Sequence, residues 1–190
     1  MQCMGFEVFV MKYFTKELWI LQNASDNLRR IDAERQWIEN SKKYNEYFTT
    51  ICLKLDPDFL KIYSENQRFH DFFIKKISLV QSRNKNSIEI ILNGGSHTFV
   101  VKCKNIDKVK LSIENFDVCV CSKLSWGYSE IYIQPDGKTY LCVLCDFENE
   151  FEILCDKIEI REKFRLFAIR KPKPPALPAS SIRMTASTVW

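Results

Sequence analysis

Asp71-Phe72-Phe73-Ile74-Lys75-Lys76-Ile77-Ser78-Leu79-Val80-Gln81 is where the chain changes character. Before Asp71 the apolar residues recur at helical spacing. After it they fall into segments of about five to nine residues, rich in β-branched and aromatic side chains, which is strand text. The fold class follows from that switch.

Working back from Asp71, Leu28, Ile31, Ile38, Phe48, Ile51 and Leu55 keep a roughly helical phase. They are interleaved with Arg29, Arg30, Glu34, Arg35, Glu39, Lys42 and Lys43, so an amphipathic helix is expected with Trp37, Tyr44 and Tyr47 widening its apolar face. Ser25 or Asp26 can cap its first amides. Asp56-Pro57-Asp58 supplies a stop and a new start, because proline fits a first helical turn but not an interior, and a short helix from Pro57 to Asn66 follows.

Working forward, strands are expected near 73–81, 87–92, 98–104, 117–121, 129–134, 139–147 and 151–160. Their separators include Arg83-Asn84-Lys85-Asn86, Asn93-Gly94-Gly95-Ser96 and Pro135-Asp136-Gly137-Lys138, in which Asn and Gly tolerate positive φ and Pro presets its own. Links this short join antiparallel neighbours, since a parallel pair needs a crossover of a dozen or more residues. The expected architecture is α+β, with N-terminal helices (11–71) covering one face of an antiparallel β-meander of six or seven strands (72–160).

The 190 residues are 46% hydrophobic and 27% charged, which suits one ordered domain rather than two. The net charge of +4 is misleading. Residues 161–190 hold seven Lys or Arg against one Glu, which leaves 1–160 at −2, so the basicity belongs to a Pro-rich tail and not to a nucleic-acid-binding core. That tail, with Arg165, Arg170, Lys171, Lys173 and Arg183, could touch polyanions without reading sequence. Its Pro172-x-x-Pro175 and Pro175-x-x-Pro178 spacings lack the basic residue that orients such ligands. Met1 to Phe14 lacks the pattern of a secretory signal, and no apolar run is long enough to span a bilayer, so a cytoplasmic protein with no membrane insertion is expected. Eight cysteines sit mostly in apolar, strand-like text and read as reduced, packed thiols.

Met11-Lys12-Tyr13-Phe14-Thr15-Lys16-Glu17-Leu18-Trp19, followed later by His70-Asp71, Trp126-Gly127-Tyr128-Ser129-Glu130-Ile131-Tyr132 and Glu150-Phe151-Glu152-Ile153, makes an ordered set of landmarks. Over residues 11–160 it resembles an uncharacterised bacterial family, a domain of unknown function whose members open with an MKYFTKE-type segment. The resemblance implies a fold and a bacterial origin, and no activity. Residues 1–10 precede that opening, which makes Met11 an alternative start, and 161–190 lie outside the pattern.

Four groups of residues could carry chemistry. Cys119-Val120-Cys121 and Cys142-Val143-Leu144-Cys145 have spacings that invite tetrahedral zinc, but strand alternation sends Cys142 and Cys145 to opposite faces, and core thiols are expected. His70 and Asp71, with Glu130, are the candidate acid–base set of a hydrolase-like enzyme. Chain neighbours seldom orient one another, so a structural role at the helix-to-sheet junction is the simpler expectation. His97 reads as a turn residue, and Asn93-Gly94-Gly95-Ser96 as a hairpin rather than a phosphate cradle. Trp126, Tyr128, Glu130 and Tyr132 form an aromatic and acidic set suited to a protein interface, lying outward or under the helices.

The function expected is a non-catalytic interaction module that binds an unidentified protein partner, in one version an immunity-type protein that occludes a toxin. No cofactor and no sequence-specific nucleic acid are expected. The alternatives are the His70, Asp71 and Glu130 enzyme or a zinc-stabilised module on Cys119, Cys121, Cys142 and Cys145.

Overall fold

Side-chain caps start each helix. In the computed structural model, which describes residues 11–82, 85–112, 124–146 and 149–163, Thr15 accepts the Leu18 amide at the start of α1 (Lys16–Gln22). Asp26 accepts the amides of Leu28 and Arg29 at α2 (Asn27–Ile51). Asp56 accepts those of Asp58 and Phe59 at α3 (Pro57–Glu65), with Pro57 in the first turn. The two expected helices are present, and α1 is an addition to them.

The phase of α2 is a correction. Leu28 is 77% exposed and Ile38 64%, and Ile31 also faces solvent. The buried face is Ala33, Trp37, Tyr44, Phe48 and Ile51. Both stripes have helical spacing, and the aromatic one wins the interior because each large ring removes about 150–250 Å² from water.

The strands are β1 (Phe72–Ser82), β2 (Lys85–Gly94), β3 (His97–Ser112), β4 (Ser125–Ile133), β5 (Thr139–Cys145) and β6 (Glu150–Glu162). All described pairs are antiparallel, as the short links require. Gly95 (φ +65°) and Gly137 (φ +86°) sit in the turns before β3 and β5. The expected strand at 117–121 lies outside the described residues. The sheet does not run as one meander: it closes into a barrel in the order β1-β2-β3-β6-β5-β4. Two three-stranded meanders are joined along β3 and β6, from Phe99 opposite Glu162 to Ser112 opposite Glu150. Their solvent face carries ion pairs such as Lys102 with Glu89 (3.0 Å) and Lys104 with Glu159 (2.6 Å).

The other seam joins β1 to β4: among the described residues Phe72 pairs with Trp126, Phe73 with Ser125, and the Ile74 amide bonds the Leu124 carbonyl. At the opposite end, β4 runs on past the start of β1. The β4 edge is covered by helices: the Ile131 amide donates to the Tyr44 hydroxyl (2.8 Å) and the Ile133 amide to the Tyr47 hydroxyl (3.3 Å). Tyr63 of α3 bonds the Ser129 hydroxyl at 2.7 Å. Burial pushes the Tyr63 hydroxyl up to about 12, so it stays protonated at neutral pH. Tyr44 and Tyr47 thus accept the edge amides that another strand would otherwise take, and Tyr63 anchors the same stretch through a side chain.

Between α3 and β1 the chain turns through four non-glycine residues with positive φ: Gln67, Arg68, Phe69 and Asp71. The turn is over-determined by packing. The Arg68 guanidinium lies over the rings of Tyr44 and Phe48 (5.2 and 5.0 Å) and donates to Asn45, while Phe69 is fully buried against Trp126, Phe72 and Phe99.

Candidate functional site

Glu130 is fully buried on β4, and every lone pair of its carboxylate has a donor. Oε1 accepts the amides of Tyr13 (2.8 Å) and Phe14 (2.6 Å); Oε2 accepts the Lys12 amide (2.8 Å) and the Tyr132 hydroxyl. The Asn40 amide holds the Tyr13 carbonyl from α2 at 2.8 Å. Residues 11–14 are therefore strapped across β4 by one carboxylate. Burial, and then the neighbouring Glu130 charge, push the Tyr132 hydroxyl far above its ordinary range.

This arrangement bears on two expectations. Of the set expected outward or under the helices, Trp126, Glu130 and Tyr132 are 1, 0 and 5% exposed and Tyr128 is half-buried, with Trp126 packed against Phe69 and Phe151. Glu130 also does not join His70. Its oxygens are occupied by the strap and Tyr132, whereas His70 is held by Asp71 and packs edge-on against the ring of Tyr128 at 4.7 Å. The three residues form no acid–base constellation.

His70 and Asp71 do interact. His70 Nδ1 lies 3.0 Å from Asp71 Oδ2, a contact between chain neighbours that the left-handed backbone of Asp71 (φ +66°) permits. The Asp71 amide is meanwhile fixed to the Trp126 carbonyl at 2.9 Å. The pair forms one wall of a cleft of about 160 Å³ whose other walls are Trp19, Tyr128 and Asp146. Its floor is the β-bulge at Gly127, where the register of β4 on β5 shifts between Trp126 and Tyr128. A Cβ at Gly127 would stand 2.7 Å from the Leu144 carbonyl oxygen, so only glycine lets the two backbones approach this closely. Tyr128 is wedged between Phe14 (5.4 Å) and Trp37 (4.5 Å) and presents a fixed ring to the cleft.

Among the described residues the cleft is lined by two carboxylates and two aromatic faces, with no Lys or Arg. Its volume is well below the roughly 300–1,000 Å³ of sites for cofactors and larger ligands. Such walls suit one cationic group, through charge and through the ring faces. Cys145 lines the floor but is 3% exposed and sits opposite Trp126 in the barrel wall. A wider depression of about 350 Å³ between Lys54–Pro57 and Gly137–Ile158 is crossed by the Lys157 to Asp56 pair at 2.9 Å.

Of the candidate zinc ligands, Cys119 and Cys121 lie outside the described residues. Cys142 lies on the opposite face of β5 from Cys145, in register between Glu130 and Glu152. Burial, then these two carboxylates, push its thiol up, the reverse of what a metal ligand or nucleophile needs. Among the described residues no three His, Cys, Asp or Glu side chains are grouped to hold a metal. His97 begins β3 and pairs with Glu162 at 2.6 Å. Trp19 and Asp146 were not expected at the site; one stands in the opening segment and the other just past β5, and only the fold brings them to the bulge.

Set against models of known protein families and against curated proteins, the chain matches none.

Proposed function

We propose that this protein is a non-catalytic interaction module whose cleft at the Gly127 bulge receives a basic side chain of a partner protein. The observation that carries this reading is the cleft lining: Asp71 and Asp146 with the rings of Trp19 and Tyr128, at a size that admits one side chain. Enzymatic use of the same residues is disfavoured because the Glu130 carboxylate is saturated by the fold. A bacterial, cytoplasmic setting fits the resemblance of the opening segment, and the free thiols of Cys52, Cys103, Cys142, Cys145 and Cys155 support a reducing compartment. In its immunity-type form the partner would be a toxin whose exposed Arg or Lys enters the cleft.

The test is capture of partners from source lysate on the immobilised full chain, beside the Asp71→Asn/Asp146→Asn variant. A protein retained stoichiometrically by the wild type and reduced at least tenfold by the variant, at unchanged Tm, supports the reading. Equal retention by both, or a hydrolytic turnover abolished by His70→Ala, overturns it.

A further inference from the structure

Helix α2 carries two apolar stripes. Ala33, Trp37, Tyr44, Phe48 and Ile51 are buried, while Leu28, Ile31 and Ile38 stand exposed at 77, 46 and 64%. At about 100° per residue the exposed stripe lies roughly 160° round the helix from the buried one, so the same helix shows one apolar face to the protein and another to solvent. Leu28, Ile31, Arg35, Ile38 and Lys42 follow one another at alternating spacings of three and four residues. That is the seam of a coiled coil, with long cationic side chains at two of its places.

Charge selects the occupant. Along the seam and its flank Asp32, Arg35, Glu39 and Lys42 alternate in sign, and all four are exposed. Their contacts within the helix, Arg35 with Asp32 at 3.6 Å and Lys43 with Glu39 at 2.7 Å, are exposed pairs that a partner's charges can share. Read in the opposite direction, the series acid, base, acid, base becomes base, acid, base, acid. An antiparallel second copy therefore sets Asp32 against Lys42 and Arg35 against Glu39, twice each, whereas a uniformly acidic or basic partner meets like charge at two of the four places. In that register the dyad passes level with residues 36 and 37. The two Ile38 side chains then stand about 4.5 Å apart along the axis. The aliphatic stems of Arg35 and Lys42 lie over Ile38 and Ile31 of the other copy.

We infer that the outer face of α2 is a self-association surface on which two copies pair antiparallel about a two-fold axis. The seam from Leu28 to Lys42 is about 21 Å long and would bury on the order of 1,000 Å² in total, the low end of specific interfaces, so a dimer of micromolar affinity is expected. It uses no residue of the Gly127 cleft.

Sedimentation velocity of the full chain from about 1 to 300 μM is the test. The expected result is a reversible dimer that Ile38→Glu weakens at least tenfold with Tm unchanged, since that side chain is exposed in the single copy. Arg35→Glu sets glutamate against Glu39 at both symmetry-related places and should weaken the dimer at least fivefold. Arg35→Glu/Glu39→Arg exchanges the signs across the interface and should restore it to within about twofold of the wild type. A chain that stays monomeric throughout, a dimer that Ile38→Glu leaves intact, a fall in Tm on Ile38→Glu that shows the stripe to be covered by its own chain, or a charge exchange that restores nothing would each overturn the inference. Asp71→Asn/Asp146→Asn should associate as the wild type does, so the dimer and the cleft are tested separately.

Discussion

Replacing Glu130 separates its charge from its shape. In Glu130→Gln the amide carbonyl still accepts two donors. If the new NH₂ occupies the Oε2 position, Tyr132 can rotate its hydroxyl to accept from it, but the Lys12 amide (2.8 Å from Oε2) then faces a donor. One orphaned amide costs about 1–3 kcal/mol, and the loss of charge assistance to Tyr13 and Phe14 adds to it, for a total of about 2–4 kcal/mol. Glu130→Ala orphans all three amides and leaves a cavity, and should cost about 5 kcal/mol. Tyr132→Phe removes one donor and keeps the carboxylate, at about 1 kcal/mol. The order Ala, Gln, Phe is read from urea unfolding at pH 7, where a chain of this size loses about 2–4 °C in Tm per kcal/mol. Native-state exchange supplies the local readout: the amides of Lys12, Tyr13 and Phe14 should lose protection in the Gln and Ala variants before the barrel does. If both variants unfold within about 1 kcal/mol of the wild type, or keep those three amides protected, the strap is not held by Glu130 and the argument fails.

Tyr44→Phe should cost about 1–3 kcal/mol by orphaning the buried Ile131 amide, and Tyr47→Phe less, since its bond is longer and its site only half-buried; denaturant midpoints decide the order. Gly127→Ala should destabilise by about 1–3 kcal/mol, because its Cβ meets a backbone oxygen that cannot step aside, and NMR shifts should concentrate at Leu144 and Cys145. Asp56 is held below the usual carboxylate range chiefly by its bond from Lys157, so its contribution is present in full above the unfolded value near pH 4 and is lost as pH falls through the folded one. Asp56→Asn keeps the helix cap but should flatten that acid limb of stability, measured by urea midpoints from pH 6 to 2.5.

Much of the fold was legible because its signals are local. The switch at Asp71 separates helix from strand at the right residue, and Asp56-Pro57 marks the α3 boundary. The β-rich segments locate all six described strands, but the segment 98–104 stops eight residues before the end of β3 and 129–134 starts four residues into β4. What escaped depends on distant partners. Leu28, Ile31 and Ile38 have the same spacing as the residues that are buried, and only the presence of β4 decides which stripe turns inward. Barrel order is fixed by β3 meeting β6 and β1 meeting β4, pairings that no turn announces. Glu130 reads as an acid lying either outward or under the helices, and its role as the strap's acceptor is hidden because the amides that saturate it lie 116 to 118 residues away. The cleft is assembled from Trp19, the His70-Asp71 turn, the Gly127 bulge and Asp146, four places with no common pattern.

The tyrosine-capped seam also bears on how the chain is made. The aromatic face of α2 is complete once residue 51 has been synthesised, but the amides that meet Tyr44 and Tyr47 lie 87 and 86 residues further on, on the same strand as Glu130. During that interval Trp37, Tyr44 and Phe48 have only residues 13–14 and, once made, Tyr63 and Arg68 to cover them, and the β4 side of their packing is missing. Contacts of such long sequence separation form slowly. The helices therefore wait for the sheet, and chaperone dependence during translation should track the time taken to reach β4 rather than the stability of the finished barrel.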